Sequence, residues 1–280
     1  MISVIVTAYN VSSTITNTIQ SILNQTYKDI ELIIVEDCST DNTLDIIKGF
    51  NDKRIKLIQQ PKNCGAGLSR RVGVLNSKGE YTIFVDGDDY IEADCLERMY
   101  KSAEETNSDI TSCGLRVFDN TREAIYKCEC RIYKDLDKFT NTEDSFFLYL
   151  NNKLIKSHLW KKVTYSSLRF IEDIPTAFKL LYFANQVYYM DYIGYNYFQN
   201  PSSLCHTASE AKYCIYMILS QIEIAEFFKD KDKKYHFLGN EEKVVSSVGL
   251  LKLNNLTFKD ISPYINEYNQ IIEYLNNIKI

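Results

Sequence analysis

The apolar positions of the first hundred residues switch between two periods. Ile2 to Val6 and Leu32 to Val35 are unbroken runs rich in β-branched side chains, and Ile55 to Ile58 and Tyr81 to Val85 read the same way. Such runs belong to strands buried on both faces. Between them the spacing becomes helical: Ile15, Ile19, Ile22 and Leu23 fall on one face, with Ser12 and Ser13 as candidate N-caps. A second helix is expected after Ser39, carrying Leu44, Ile47 and Phe50. A third starts near Gly65 and is expected to bury Leu68, Val72 and Leu75. Strands that alternate with helices of this length need crossover connections, which predicts an α/β fold built on a mainly parallel, doubly wound sheet.

After residue 105 the pattern loosens. Asp109 to Arg116 predicts a further strand and Tyr126 to Arg131 an antiparallel one. From about Lys212 the chain is helical in character, with Ile218, Ile222 and Ala225 on one face. The charged stretch Lys229 to Lys234 precedes segments around Val244 to Leu253 and Ile261 to Leu275. In the last of these, Ile261, Ile265, Tyr268, Ile272 and Leu275 recur at heptad-like spacing, a face expected to pack on the rest of the chain or on a second subunit as a homodimer contact. Its polar side carries Glu267, Glu273 and Asn rather than Lys or Arg, which argues against docking on an anionic membrane.

Composition narrows the class. With 280 residues, 45% of them hydrophobic, the chain can bury a sizeable core, and only 10 Gly and 4 Pro exclude collagen-like and generally disordered classes. No apolar run approaches the ~20 residues that cross a bilayer, and Met1 leads straight into a strand-like run, so a soluble cytoplasmic protein is expected. The eight cysteines are scattered and read as reduced, packed thiols; Cys128 and Cys130 are too few and too close together for a zinc site. The net charge of -5 argues against nucleic-acid partners, because backbone binding needs clustered Lys and Arg. A localised nucleotide pocket remains allowed.

Doubly wound sheets bind ligands beyond the carboxyl ends of their strands, and the polar clusters fall there: Thr7 to Asn10, Glu36 to Asn42 and Asp86 to Asp89. Asp86-Gly87-Asp88-Asp89 sets three carboxylates in four positions, a costly arrangement unless a cation binds, and hard oxygen ligands suit Mg²⁺ or Mn²⁺. An Asp-rich turn that caps a helix beginning near Glu92 is the alternative. In Glu36-Asp37-Cys38-Ser39-Thr40-Asp41, Ser39 is expected to cap the next helix, while Asp37 is the candidate acceptor for a base N–H or sugar hydroxyl. Asn63-Cys64-Gly65-Ala66-Gly67 permits a tight turn, after which Arg70 or Arg71 faces either a diphosphate or solvent.

In this order and spacing, Thr-Ala-Tyr-Asn after a strand, Glu-Asp-Cys-Ser-Thr-Asp, Asn-x-Gly with Arg70, and Asp-x-Asp-Asp resemble glycosyltransferase family 2 of the GT-A fold. The likeness covers residues 1–105 strongly and continues more faintly through Leu159-Trp160-Lys161, Phe170-Ile171-Glu172-Asp173 and Tyr195 to Ser203. It implies a GT-A catalytic domain over 1–208, with a nucleotide-sugar half at 1–105 and an acceptor half at 106–208, followed by a helical carboxyl-terminal extension at 209–280.

The resemblance further implies transfer of a sugar, with inversion, from a nucleotide-diphosphate donor, most often a UDP-sugar, to a carbohydrate or lipid-linked acceptor in surface polysaccharide or glycolipid synthesis. Peripheral work at the inner face of a membrane fits such acceptors. Position by position, Thr7, Tyr9 and Asp37 would line the base and ribose pocket with Arg70 nearby. Asp86 would lie by ribose and metal, Asp88 would be the principal metal ligand, and Asp89 would organise the loop. Asp173 matches the family's catalytic base, Glu172 supports it or binds acceptor, and Pro175 behind them sets the pair at a helix N-terminus.

Two positions depart from the family pattern. Pro is usual where Thr7 or Ala8 stands, and Phe198 stands where an Arg is expected after an aromatic pair, with His206 as a candidate replacement. Trp160 reads either as an acceptor-side platform or as a core indole with its N–H bonded. Two alternatives follow. A catalytically silent relative that binds a nucleotide sugar or a partner enzyme is favoured by Phe198. A nucleotidyltransferase would need a Gly-rich basic loop after the first strand, and Thr7 to Asn10 holds neither Gly nor a basic residue.

Overall fold

The computed structural model describes residues 1–119, 121–127, 129–140, 149–200, 203, 207–232, 234 and 257–277. The four apolar runs form β1 (Ile2–Ala8), β2 (Ile30–Glu36), β3 (Ile55–Gln59) and β4 (Tyr81–Asp86), hydrogen-bonded in parallel in the order β3-β2-β1-β4. Ile2 of β1 pairs with Ile30 on one side and Tyr81 on the other, so β1 is central, and Val4, Ile5 and Val6 are fully buried. Continuous burial on both faces is why these strands show no alternation.

The crossover helices are α1 (Ile15–Leu23), α2 (Thr43–Lys48) and α3 (Ala66–Leu75). Ile15, Ile19 and Ile22 are fully buried, as their spacing predicts. The expected caps differ. Thr14 and Asn42 occupy the cap positions; the Ser12 amide instead donates to Asp41, and the Ser39 hydroxyl accepts from the Asn10 amide. On α3 the expectation is corrected more strongly, since Leu68 and Leu75 are exposed, Leu75 by 73%, and the buried face is Ser69, Arg70 and Gly73. A Cβ at Gly73 would lie 2.2 Å from Ile5 Cγ2, so α3 sits on the sheet at a distance only its small residues allow.

Beyond β4 the sheet becomes mixed. β5 (Tyr90–Ile91) and α4 (Cys95–Thr106) precede β6 (Ile110–Phe118), β7 (Glu123–Tyr126), β8 (Arg131–Lys134), the turn α5 (Asp137–Thr140) and β9 (Lys153–Lys156). α6 (Asp173–Phe183) then leads into the long β10 (Gln186–Phe198). β9 runs antiparallel to both β4 and β6, β10 runs parallel to β6, and β5 closes the path against β10. The predicted 126–131 strand falls on the connection between β7, which pairs antiparallel with β6, and β8, which pairs antiparallel with β10.

The extension holds α7 (Glu210–Lys229), the single turn α8 (Phe258–Ile261) and α9 (Ile265–Asn277). α7 buries Ile218, Ile222 and Ala225 as expected, together with Cys214 and Ile215, in a second apolar cluster with Phe170 and Ile271. The heptad stripe predicted for the last segment holds in part: Ile261 is buried at 9% exposure, and Tyr268 and Leu275 pack against the second cluster. Pro263 lies in the 3₁₀ turn Ser262–Tyr264 that precedes the helix, and the side chain buried against α7 is Ile271 at 1% exposure. Ile265 and Ile272 are 39% and 37% exposed. Segment 244–253, Cys128 and His206 lie outside the described residues. Among the described residues Cys95, Cys113 and Cys214 are buried and every cysteine is free. No described helix is long and apolar enough to cross a membrane.

Candidate active site

The loops after β1 and β2 are tied to each other before they can bind anything. Asn10 Oδ1 accepts from the Thr40 amide at 2.8 Å, Thr43 Oγ1 accepts from the Val11 amide at 2.8 Å, and Asp41 accepts from the Ser12 and Thr43 amides at 3.1 and 3.0 Å. Burial works to raise the Asp41 pKa, but its bonds from Thr43 and Ser12 outweigh it and hold the carboxyl at about 2. Tyr9, 41% exposed, stands at the mouth of these loops.

Two turns in this region are left-handed, at Asn10 (φ 53°) and Cys38 (φ 62°). Asn tolerates that conformation; Cys does not. Cys38→Gly is therefore expected to stabilise the protein by about 1 kcal/mol, read as a rise of a few degrees in melting temperature. An unchanged or lower melting temperature would count against strain at this turn.

Asp37 is buried and its carboxylate is engaged within the chain. It accepts from Gln60 Nε2 at 2.7 Å and from the amides of Cys64 and Gly65 at 2.8 Å each. Burial raises its pKa against the lowering effect of those two amides. Asp37 thereby shapes the Asn63–Gly65 turn, with Gly65 at φ 88°, that launches α3 and Arg70.

At the end of β4, Gly87 is packed so closely that a Cβ would lie 2.9 Å from both Thr7 O and Val11 Cγ2. Its carbonyl accepts from Thr14 and Thr18 hydroxyls at 3.0 Å each. Asp89 is fully buried and accepts from Tyr195 OH at 2.6 Å and the Phe198 amide at 2.8 Å; burial, then Asp88 and Asp86, raise its pKa well above the ordinary value. It organises the loop, as the resemblance implies.

Asp86 accepts from Arg70 Nη2 at 3.0 Å, Thr7 Oγ1 at 3.1 Å and Asn151 Nδ2 at 2.7 Å. Asp88 is half-buried, and burial followed by the charge of Asp86 pushes its pKa up to about 6, against a bond from Asn200. One of the two carboxylates is thus neutralised by Arg70 and the other is left short of positive charge.

Glu172 and Asp173 stand at the start of α6, as predicted, with Pro175 in its first turn. The residue before them, Ile171, is held at φ 59°, a conformation that costs a β-branched side chain on the order of 1–3 kcal/mol and persists only where the surroundings enforce it. Glu172 Oε1 accepts from Arg70 Nη1 at 2.7 Å. The approach requires Gly67, since a Cβ there would lie 2.5 Å from Glu172 Cγ. Gly67, Arg70, Tyr165, Ser166, Glu172 and Thr176 close round a cavity of only about 10 Å³, so the pair is seated with little slack. Burial, then the neighbouring Glu172, raise the Asp173 pKa to about 6, with Arg70 opposing.

Arg70 is the centre of this arrangement. Burial alone would lower its pKa, but Asp86, Glu172 and Asp173 outweigh burial and hold the guanidinium above its ordinary value. The structure therefore brings Thr7, Arg70, Asp86, Glu172 and Asp173 into one electrostatic unit with Asp88 beside it, while Asp37 lies behind the Arg70 turn. Trp160 is a core indole: its Nε1 donates to Thr82 Oγ1 at 2.6 Å, and its ring meets Phe84 edge-on and stacks on Tyr165. The Phe198 ring tilts against Phe118, with centroids 5.4 Å apart.

Sequence reasoning missed Asn151, and it named Tyr195 only as the start of the faint 195–203 match, with no role. Asn151 bonds Asp86 and Tyr195, and Tyr195 joins Asp86 to Asp89, also accepting from the Asp86 amide at 3.2 Å. The only local signal was the paired Asn151-Asn152 ahead of an apolar run. Among the described residues no three His, Cys, Asp or Glu side chains converge as a complete metal cage. Asp86 and Asp88 are two hard oxygen donors, a type of ligand that Mg²⁺ accepts when further oxygens complete its shell.

Residues 3–164, more than half of the chain, match the family model described as Glycosyl transferase family 2. Glycosyltransferase GlyG of Streptococcus pneumoniae serotype 4 is 26% identical over 290 residues, covering 98% of this chain and 89% of that protein. The UDP-Glc:alpha-D-GlcNAc-diphosphoundecaprenol beta-1,3-glucosyltransferase WfaP of Escherichia coli is 46% identical over 90 residues, but the alignment spans only 32% of this chain and 36% of WfaP. The crystal structure of S. aureus TarS 1-349 in complex with UDP-GlcNAc superposes with a TM-score of 0.76 at 23% identity, covering 97% of this chain and 80% of that one, a likeness of fold. Matched in sequence over its amino-terminal half and in fold over nearly its whole length, the chain belongs to glycosyltransferase family 2, a family of GT-A enzymes.

Proposed function

We propose that this enzyme is an inverting, metal-dependent glycosyltransferase that moves a sugar from a UDP-sugar to a hydroxyl of a lipid-linked or surface glycan, working at the cytoplasmic face of a membrane. The observation that carries the reading is the Arg70 fork, whose two nitrogens hold Asp86 at the end of β4 and Glu172 at the start of α6 at 3.0 and 2.7 Å. The pairs support the reading because the end of β4 and the start of α6, far apart in sequence, meet at Arg70. The UDP-GlcNAc bound to TarS and the UDP-glucose in the name of WfaP support the donor class, and the diphosphoundecaprenol of WfaP supports a lipid-linked acceptor.

In this reading the exposed Tyr9 ring stacks on the base, and Thr7, Arg70 and Asp86 border the ribose. Asp88, with Asp86, would hold a Mn²⁺ or Mg²⁺ ion, which would supply Lewis-acid stabilisation of the departing diphosphate. Asp173 accepts the acceptor hydroxyl proton as that oxygen bonds to the anomeric carbon and the bond to the β-phosphate breaks. A single displacement inverts the centre, and UDP leaves. Glu172, paired with Arg70, keeps Asp173 at the helix start.

The test is thermal stabilisation by UDP-glucose, UDP-galactose and UDP-GlcNAc with and without Mn²⁺, followed by UDP release. Asp88→Asn is expected to abolish the Mn²⁺-dependent part of UDP binding, a loss on the order of 100-fold in Kd, while leaving the fold intact. Mn²⁺-dependent binding that survives in the variant would sink the assignment. A second reading, a silent nucleotide-sugar binder, is favoured by Phe198, whose backbone amide is bound to Asp89 and whose ring lies on Phe118. Stabilisation by a UDP-sugar with no UDP release under any condition would establish it.

A further inference from the structure

We propose that Glu223, on the carboxyl-terminal extension and outside the region matched by the family model, is a positioning residue for Glu172 and Asp173; the inference rests on the reading of Asp173 as the base. Glu223 lies on α7 and reaches the catalytic helix from behind. Its Oε1 pairs with Lys179 Nζ of α6 at 2.6 Å, and its Oε2 accepts from Ser166 Oγ at 2.6 Å. Ser166 Oγ in turn accepts from the Leu168 amide at 3.2 Å, and the Ser166 amide donates to Thr176 Oγ1 at 3.4 Å. Thr176 Oγ1 donates to the backbone carbonyl of Glu172 at 2.8 Å, and Lys179 Nζ also donates to the Thr164 carbonyl at 3.1 Å.

A continuous hydrogen-bonded path therefore runs from the extension to the backbone of Glu172. Ser166, Thr176 and Lys179 are buried and the Glu223 side chain is 23% exposed, so competition from water is confined to the Glu223 end of the path. The path spans both sides of Ile171, whose left-handed backbone needs outside restraint. Lys179 is a buried cation and Glu223 is its counter-charge, so the geometry of loop 164–168 and of the first turn of α6 depends on a carboxylate some fifty residues downstream. A base displaced by a fraction of an ångström loses rate without losing the donor site.

Three variants separate positioning from stability. Ser166→Ala cuts the path and keeps the ion pair. Glu223→Gln keeps an acceptor for Ser166 and leaves Lys179 unpaired. The double variant Lys179→Met with Glu223→Leu removes both charges, a replacement that tends to leave stability unchanged. Melting temperature, UDP binding with Mn²⁺, release of UDP from the three UDP-sugars above with water as acceptor, and amide exchange over residues 164–176 are measured for each. Ser166→Ala and the double variant are expected to bind UDP within twofold of the parent, to release it about 10-fold more slowly, and to exchange faster at Leu168 and Ile171.

A double variant with parental melting temperature and parental release rate would show the contact to be merely structural and overturn the proposal. Asp173→Asn is the control. If Asp173→Asn turns over normally, the assignment of the base fails. If it is dead while Ser166→Ala and the double variant are fully active, only the role of Glu223 fails.

Discussion

Asp173→Asn is expected to bind UDP with Mn²⁺ as the parent does and to lose transfer by 10²–10⁴-fold, the range general-base catalysis supplies. Asparagine preserves the shape of the side chain at the start of α6 and can still accept from the Ile174 amide, which Asp173 Oδ1 does at 3.0 Å. What it cannot do is take a proton. The pH profile gives an independent reading of the same group. Burial and Glu172 raise the Asp173 pKa to about 6, so turnover should climb through pH 6 and level off above pH 7. Stability runs the other way: a carboxyl whose folded pKa lies above its unfolded value favours the fold below about pH 4, and the benefit is lost as pH rises through 6. Above pH 7 the stability contribution is lowest and the Asp173 carboxylate is ionised. A flat turnover profile from pH 5 to 8, or an Asn variant at parental rate, would exclude Asp173 as the base.

How much of this was legible without the structure depended on the range of the contacts. β1 to β4 announce themselves because strands buried on both faces need unbroken apolar runs, and the acidic and amide-rich loops follow from the strand ends. α3 misled because its contact with the sheet is set by Gly73 against Ile5 rather than by its leucines, so periodicity pointed to the wrong face. β6 was visible, but β7 to β9 carry weak signals because short antiparallel strands mix buried and exposed positions; β7 is exposed along its whole length. In α9 Tyr268 and Leu275 pack where periodicity put them, but the most buried side chain is Ile271, and Ile265 and Ile272 face solvent. The arginine itself was visible, but a sequence cannot say that one guanidinium reaches Asp86 and Glu172 together. The roles of Asn151, Tyr195 and Glu223 were invisible for the same reason: their partners lie 65, 106 and 44 residues away, at Asp86, Asp89 and Lys179.

Arg70→Met should have the largest effect on the fold. The parent balances two nearby carboxylates with one buried cation, whose side chain is 8% exposed. Removing it leaves Asp86 and Glu172 uncompensated, and breaking a buried pair in this way costs about 3–5 kcal/mol, equivalent to roughly 10 °C in melting temperature for a chain of this size. The loss should shrink as the buffer is acidified, because one of the two carboxylates can then take a proton and relieve the repulsion. A cavity left by a shorter apolar side chain would show no such dependence on pH. Adding Asp86→Asn and Glu172→Gln to Arg70→Met removes the carboxylates along with the cation and should restore most of the melting temperature. It should not restore turnover, because nothing then draws the end of β4 and the start of α6 together. If the triple variant recovered both stability and activity, Arg70 would be a neutralising charge alone, and the joining of donor and acceptor sides would have to lie elsewhere.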